Sequence, residues 1–218
     1  QGVEHGLRRR AVDGVGRDFP ACHLVSDLVD GAVVKSRQAP AGAGLLLASY
    51  AVEAVLTTRG LAGTGAWRAA FVMRALVALL LVWPALRLPR GSAAWLRAGQ
   101  CAVVSILLGL ALPALWPGYL MAWNHLIFVT GFLWLTLAVA TKVVCAHGGA
   151  GALLERSGRP MVILGALIVL GMVTRIGAEW SATTYHLHLW LGALLVLAAI
   201  GYWIRRYGGL LFVLPWRR

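Results

Sequence analysis

Of the 218 residues, 60% are apolar and only 13% charged, with a mean hydropathy of +0.76 and 10 tryptophans. A soluble domain carries about a quarter charged residues, so the composition excludes a soluble globular enzyme and predicts an all-α, polytopic membrane helix bundle. The formal net charge of +12 does not point to nucleic acid: no recognition motif accompanies it, and in a membrane chain basic residues mark cytoplasmic loops.

Residues 1–40 mix "LRRR" with several acids and lack the apolar core of a signal peptide. They read as a cytoplasmic or disordered N-terminal extension, with a short helix around "ACHLVSDLVDGAVV" and with His5 and His23 in solvent. The start at Gln1 instead of Met leads us to expect a fragment. Cys22, Cys101 and Cys145 have no metal-type spacing, and no disulfide framework is expected.

From residue 41 to 218 the chain predicts six crossings, at about 41–57, 64–87, 93–115, 119–145, 160–180 and 184–205, each near the ~20 residues a bilayer requires. The separators "TTRGLAGTG", "LPRGSAA", "WPGY", "AHGGAGALLERSGRP" and "SATT" all carry breaker chemistry. Trp95, Trp116, Trp123, Trp180 and Trp203 fall near span ends, where an aromatic belt sits. An even number of crossings puts both termini on one side. That side collects Arg8, Arg9, Arg10, Arg17, Lys35 and Arg37, then Arg87, Arg90 and Arg97, then Lys142, Arg156 and Arg159, and finally Arg205, Arg206, Arg217 and Arg218. The opposite side carries Arg59 and Arg68. The positive-inside rule therefore predicts cytoplasmic termini.

This topology sorts the polar residues by depth. His125 opens the fourth span on the outer side and His147 lies 22 positions on, about 33 Å along a helix, so the two cannot share one ion. His186 and His188 of "TTYHLHLW" return to the outer level. So do Glu53, Arg74, Arg175 and Glu179. Charged groups inside spans normally face a bundle interior or a functional cavity. Positions i and i+2 point about 200° apart on a helix, so only one of His186 and His188 faces inward. The small Gly192, on the stripe of His188, Leu195 and Ala199, favours His188. Blander roles compete: an interfacial place for a histidine near a span end, a structural clasp for Arg175–Glu179, and a solvated loop for His147.

Two imidazoles from facing helices are a usual way to hold b-type haem in a bundle, with arginines neutralising its propionates. Copper also suits imidazole but gives the arginines no purpose. No HExxH run, Walker A loop, GxSxG elbow or dinucleotide fingerprint is present, so no classical enzymatic activity is expected.

The stretch "NHLIFVTGFLWLTLAVATKVVCAHGG" (124–149) resembles the NnrS family, whose members carry an H-x-x-F-x-x-G-F helix ending in an A-T-R-V-x-x-x-H-[ST]-G-like loop. The matching positions are His125, Phe128, Gly131, Phe132, Ala140, Thr141, Lys142, Val143, His147 and Gly148. Lys142 stands where the family has arginine, and Gly148 where it has a small hydroxyl residue. "GMVTRIGAEW" is similar to the family's next helix, with its Thr-Arg pair at Thr174 and Arg175. "HLWLGALLVLAAIGYW" is similar to its final helix, with the matching histidine at His188.

The likeness covers 118–206 best and extends more weakly to about residue 41, the C-terminal part of the family's bundle. The resemblance implies a bacterial inner-membrane protein containing haem b and copper and linked to nitric oxide metabolism or nitrosative-stress resistance. An N-terminal half or a second subunit would supply further ligands. The expected site has His125 and His188 as axial ligands, Arg74 and Arg175 as propionate or anion partners, and Glu53 as a charge partner. His186 is the remaining outer-side metal candidate, and His147 with Lys142 would make a second site on the cytoplasmic side. The alternative is a transporter or channel in which the same buried charges line a proton or anion path.

Overall fold

Without water in a hydrocarbon core, a backbone must satisfy its own N–H and C=O groups, and a helix does so within one segment. The computed structural model, which describes residues 39–87 and 93–212, shows an all-α bundle. The expected helix in 1–40, with Cys22, His5, His23 and the N-terminal basic residues, lies outside the described residues, as do Arg90, Arg217 and Arg218. The chain divides after Pro40, and the bundle is the second unit.

The helices are α1 (Ala39–Thr58), α2 (Gly65–Leu86), α3 (Ala94–Leu115), α4 (Leu120–His125), a π-helical segment (Leu126–Leu133), α5 (Trp134–His147), the short α6 (Gly151–Glu155), α7 (Gly158–Ala178) and α8 (Tyr185–Phe212). A 3₁₀ turn at Pro117–Tyr119 leads into α4, and this turn, α4, the π segment and α5 run on as one fourth span. Six helices among the described residues are long and apolar enough to cross a membrane. This is a multi-pass membrane helix bundle. The end holding the first, third and fifth connections is termed distal, and the other proximal.

One boundary and one internal segment differ from expectation. The sixth span runs to Phe212, beyond the predicted stop at 205, because Arg205 and Arg206 mark an interface and do not break a helix. The fourth span contains eight residues of π-helix, longer than the usual single-turn bulge. Its i→i+5 hydrogen bonds leave no hydropathy signature.

Between apolar helices in lipid, association rests on close packing, so small residues gather at crossings. A Cβ added to Gly109 would collide with Ile127, one at Gly131 with Ile106, and one at Gly165 with Trp134. These positions draw the third, fourth and fifth spans together. Between the fifth and sixth spans Gly171 meets Gly192: a Cβ on Gly192 would stand 3.1 Å from both the Gly171 carbonyl oxygen and Thr174 Oγ1.

The bundle is pinned at both ends. Distally, Trp67 and Phe71, with ring centroids 4.4 Å apart, bury against Ala114, Leu56 and Leu120. Proximally, the buried Trp203 indole donates to Thr141 Oγ1 at 2.8 Å, and Thr141 in turn donates to the Leu137 carbonyl. Trp203 and Trp95 are therefore core residues, not members of an interfacial belt. Trp116 and Trp180 are exposed at the distal end.

Candidate functional site

Of the seven costly polar residues expected at one depth, His125, Arg175, Glu53 and Arg74 line two separate cavities, one on either side of the fourth span. The divide falls between neighbours in sequence. Asn124 lines one cavity and His125 the other, as consecutive helical residues, about 100° apart, are able to do.

The first cavity, of about 280 Å³, lies between the fourth, fifth and sixth spans and is lined by His125, Val129, Gly171, Met172, Arg175, Leu189, Gly192, Ala193 and Val196. His125 Nδ1 is 2.8 Å from the Met121 carbonyl oxygen. A carbonyl only accepts, so in the neutral ring Nδ1 carries the proton and Nε2 keeps its lone pair. That is the tautomer of a histidine ready to ligate through Nε2. Arg175 Nη1 donates to Glu179 Oε1 at 2.8 Å, one turn further along the same helix.

The second cavity, of about 200 Å³, lies among the first four spans and is lined by Tyr50, Glu53, Phe71, Arg74, Gly109, Leu110, Leu120, Asn124 and Ile127. Arg74 is only 3% exposed and is held from several directions. Its Nη2 donates to Glu53 Oε2 at 2.6 Å and to the Ser49 carbonyl at 3.2 Å, and its Nε donates to Ser49 Oγ at 3.1 Å. The guanidinium carbon lies 3.5 Å from the Tyr50 ring centroid and 4.7 Å from that of Phe71, a stacking that stabilises a desolvated cation.

The expected single constellation is accordingly divided. His125 and Arg175 share a cavity, while Glu53 and Arg74 are bound to each other in another. His188 lines neither. It stands one turn distal to Gly192 with its ring against Gly177, and its Nδ1 is buried with no hydrogen-bond partner. His186 is exposed and meets Tyr185 edge-on at 5.4 Å, so of the pair His188 is the one turned inward. His147 is exposed at the proximal end of α5, and Lys142 Nζ lies 5.0 Å from the Trp95 ring centroid. Among the described residues no three His, Cys, Asp or Glu side chains gather as a metal-binding group.

Ser49, Tyr50 and Asn124 escaped the sequence reading. Ser49 and Glu53 are four apart on α1 and so share a face, a signal that the hydroxyl belonged with the carboxylate. Asn124 is an amide inside an apolar span, nearly as unusual there as its histidine neighbour. No family model, curated protein or solved structure matches the chain.

Proposed function

We propose that the chain is an NnrS-like haem protein of the bacterial inner membrane, linked to the nitric oxide response, with His125 as the residue that would hold the haem. The observation that carries this is the His125 imidazole, whose Nδ1 lies against the Met121 carbonyl and which lines an apolar cavity shared with Arg175. These residues fit a single-imidazole site. Arg175 supplies a cation for a propionate. His188 lies outside the cavity, whose volume of about 280 Å³ is below the roughly 300–1,000 Å³ usual for a drug-sized ligand, so these three spans would hold only part of a porphyrin. When bound, haem supplies an iron able to take up a diatomic gas or an electron. The chain's own residues fix the ring, balance its charge and keep water away. Copper, which the resemblance also implies, gains less support, because His125 is the only imidazole lining the cavity.

The proximal end carries Arg87, Arg97, Lys142, Arg156, Arg159, Arg205 and Arg206, against Arg59 and Arg68 at the distal end. This supports an orientation with both termini in the cytoplasm and the His125 cavity in the outer half. An absorption spectrum tests the proposal. Protein purified from haem-replete cells is expected to show a Soret band that shifts on dithionite reduction, disappears in His125→Ala and persists in His188→Ala. A colourless, folded preparation ends the haem proposal. The transporter alternative draws on a different observation, the buried Arg74–Glu53 pair at the second cavity.

A further inference from the structure

The second cavity holds more hydrogen-bonding capacity than its own side chains use. A guanidinium has five N–H donors. Arg74 employs Nε and Nη2 on Ser49 and Glu53, while its Nη1 donates to no described residue. The Asn124 side-chain amide also has no hydrogen-bond partner among the described residues, and both side chains line the same cavity. Donors left without a protein partner at a cavity favour a ligand that accepts from them.

Charge decides which ligand. Arg74 and Glu53, 2.6 Å apart, cancel one another. An anion entering beside them would leave one uncompensated negative charge in a poorly solvated place, a costly arrangement. A proton added to Glu53 removes that charge, and the guanidinium then balances the anion. We propose that this cavity binds a small monovalent anion of halide or nitrate size, taken up together with one proton that resides on the Glu53 carboxyl.

The stoichiometry closes: one proton and one anion enter, and the site's net charge does not change. About 200 Å³ accommodates such an ion with a few waters, whose share of liquid volume is about 30 Å³ each. Glu53 is 20% exposed and Arg74 only 3%, so the carboxyl is the more accessible of the two partners. The charged and titratable groups lining the cavity around Glu53 are Arg74 from α2 and Tyr50 from its own helix. The third and fourth spans contribute Gly109, Leu110, Leu120, Asn124 and Ile127, none of which titrates. No residue of the His125 cavity takes part, so the site stands independently of the haem proposal.

Equilibrium binding of radiolabelled chloride to the purified full chain in neutral-lipid nanodiscs, between pH 8 and pH 5, tests the site, with nitrate and bromide as competitors. Affinity is expected to rise as pH falls, by up to about tenfold per pH unit, since one proton is bound per anion. Glu53→Gln, neutral at every pH, is expected to bind chloride with no pH dependence. Asn124→Ala, which disturbs no ion pair, is expected to weaken binding several-fold while remaining folded by size exclusion and circular dichroism. The proposal is overturned if folded wild-type protein shows no saturable chloride binding at pH 5. It is equally overturned if the pH slope persists in Glu53→Gln, or if Asn124→Ala binds as tightly as the wild type. None of these readouts depends on haem, so they separate failure of this site from failure of the His125 proposal.

Discussion

The bundle contains two arginine–glutamate pairs, and they do different work. Arg175 and Glu179 are one turn apart on the same helix, 13% and 22% exposed, and their bond forms whenever that helix forms. Arg74 and Glu53 come from different helices, and Arg74 also holds Ser49 and lies against Tyr50 and Phe71. The first pair decorates a helix, whereas the second joins two. Apolar side chains offer little preference between one helix register and another in lipid. The Arg74 cluster supplies that preference for α1, which buries few of its own side chains.

The largest effect is expected at Arg74. Arg74→Met leaves Glu53 as an unpaired carboxylate facing a cavity, and removing one partner of a buried pair costs about 3–5 kcal/mol. The variant is expected to lose much of its thermal stability in detergent, with α1 becoming accessible to protease. Replacing both charges, Arg74→Met with Glu53→Leu, is expected to recover most of that loss, because well-packed apolar substitutes for a buried pair are often close to neutral. A double variant as unstable as the single one would show that the cluster works through shape and not through charge.

Which of these features could be read along the chain follows from their range. The six spans were legible because hydropathy and breaker residues are local quantities, and the Arg175–Glu179 pair because i,i+4 spacing is a property of one helix. Helical periodicity also separated His186 from His188: the former is exposed and the latter is partly buried against Gly177. Depth, by contrast, says nothing of azimuth. Glu53, Arg74, His125, His188 and Arg175 were placed at one level, yet the fourth span divides them between two cavities and leaves His188 in neither. The π-helical segment from Leu126 to Leu133 alters the facing of every residue that follows it in that span. Trp95 and Trp203 sit near span ends like interfacial residues but are buried, because a ring at a given depth packs inward or outward with equal ease.

What secures the His125 cavity is backbone approach, and this gives the second prediction. Gly171 and Gly192 bring the fifth and sixth spans so close that a Cβ on either would stand 3.1–3.2 Å from the other's carbonyl oxygen. Gly192→Leu has no room at that crossing and is expected to cost about 1–3 kcal/mol as overpacking, read as a lower midpoint of thermal unfolding. It also forces apart two walls of the cavity that His125 faces, so any Soret absorbance is expected to fall with it. Retention of both stability and spectrum would place the working contact elsewhere along the two helices.

The smallest effect is expected at Glu179, and its smallness is informative. The partner Arg175 stays partly accessible at the distal end of the fifth span, so Glu179→Gln leaves the guanidinium able to find water or the headgroup region. Ion pairs spaced i,i+4 along one helix contribute about 0.3–0.5 kcal/mol, and unfolding of the variant is expected to be nearly unchanged. Freed from Glu179, Arg175 has one more donor to offer an anionic group in the cavity it lines, so retention of a propionate-bearing ligand should hold or improve. A large loss of stability in Glu179→Gln, comparable to that of Arg74→Met, would erase the contrast between a pair that joins helices and a pair that lies along one.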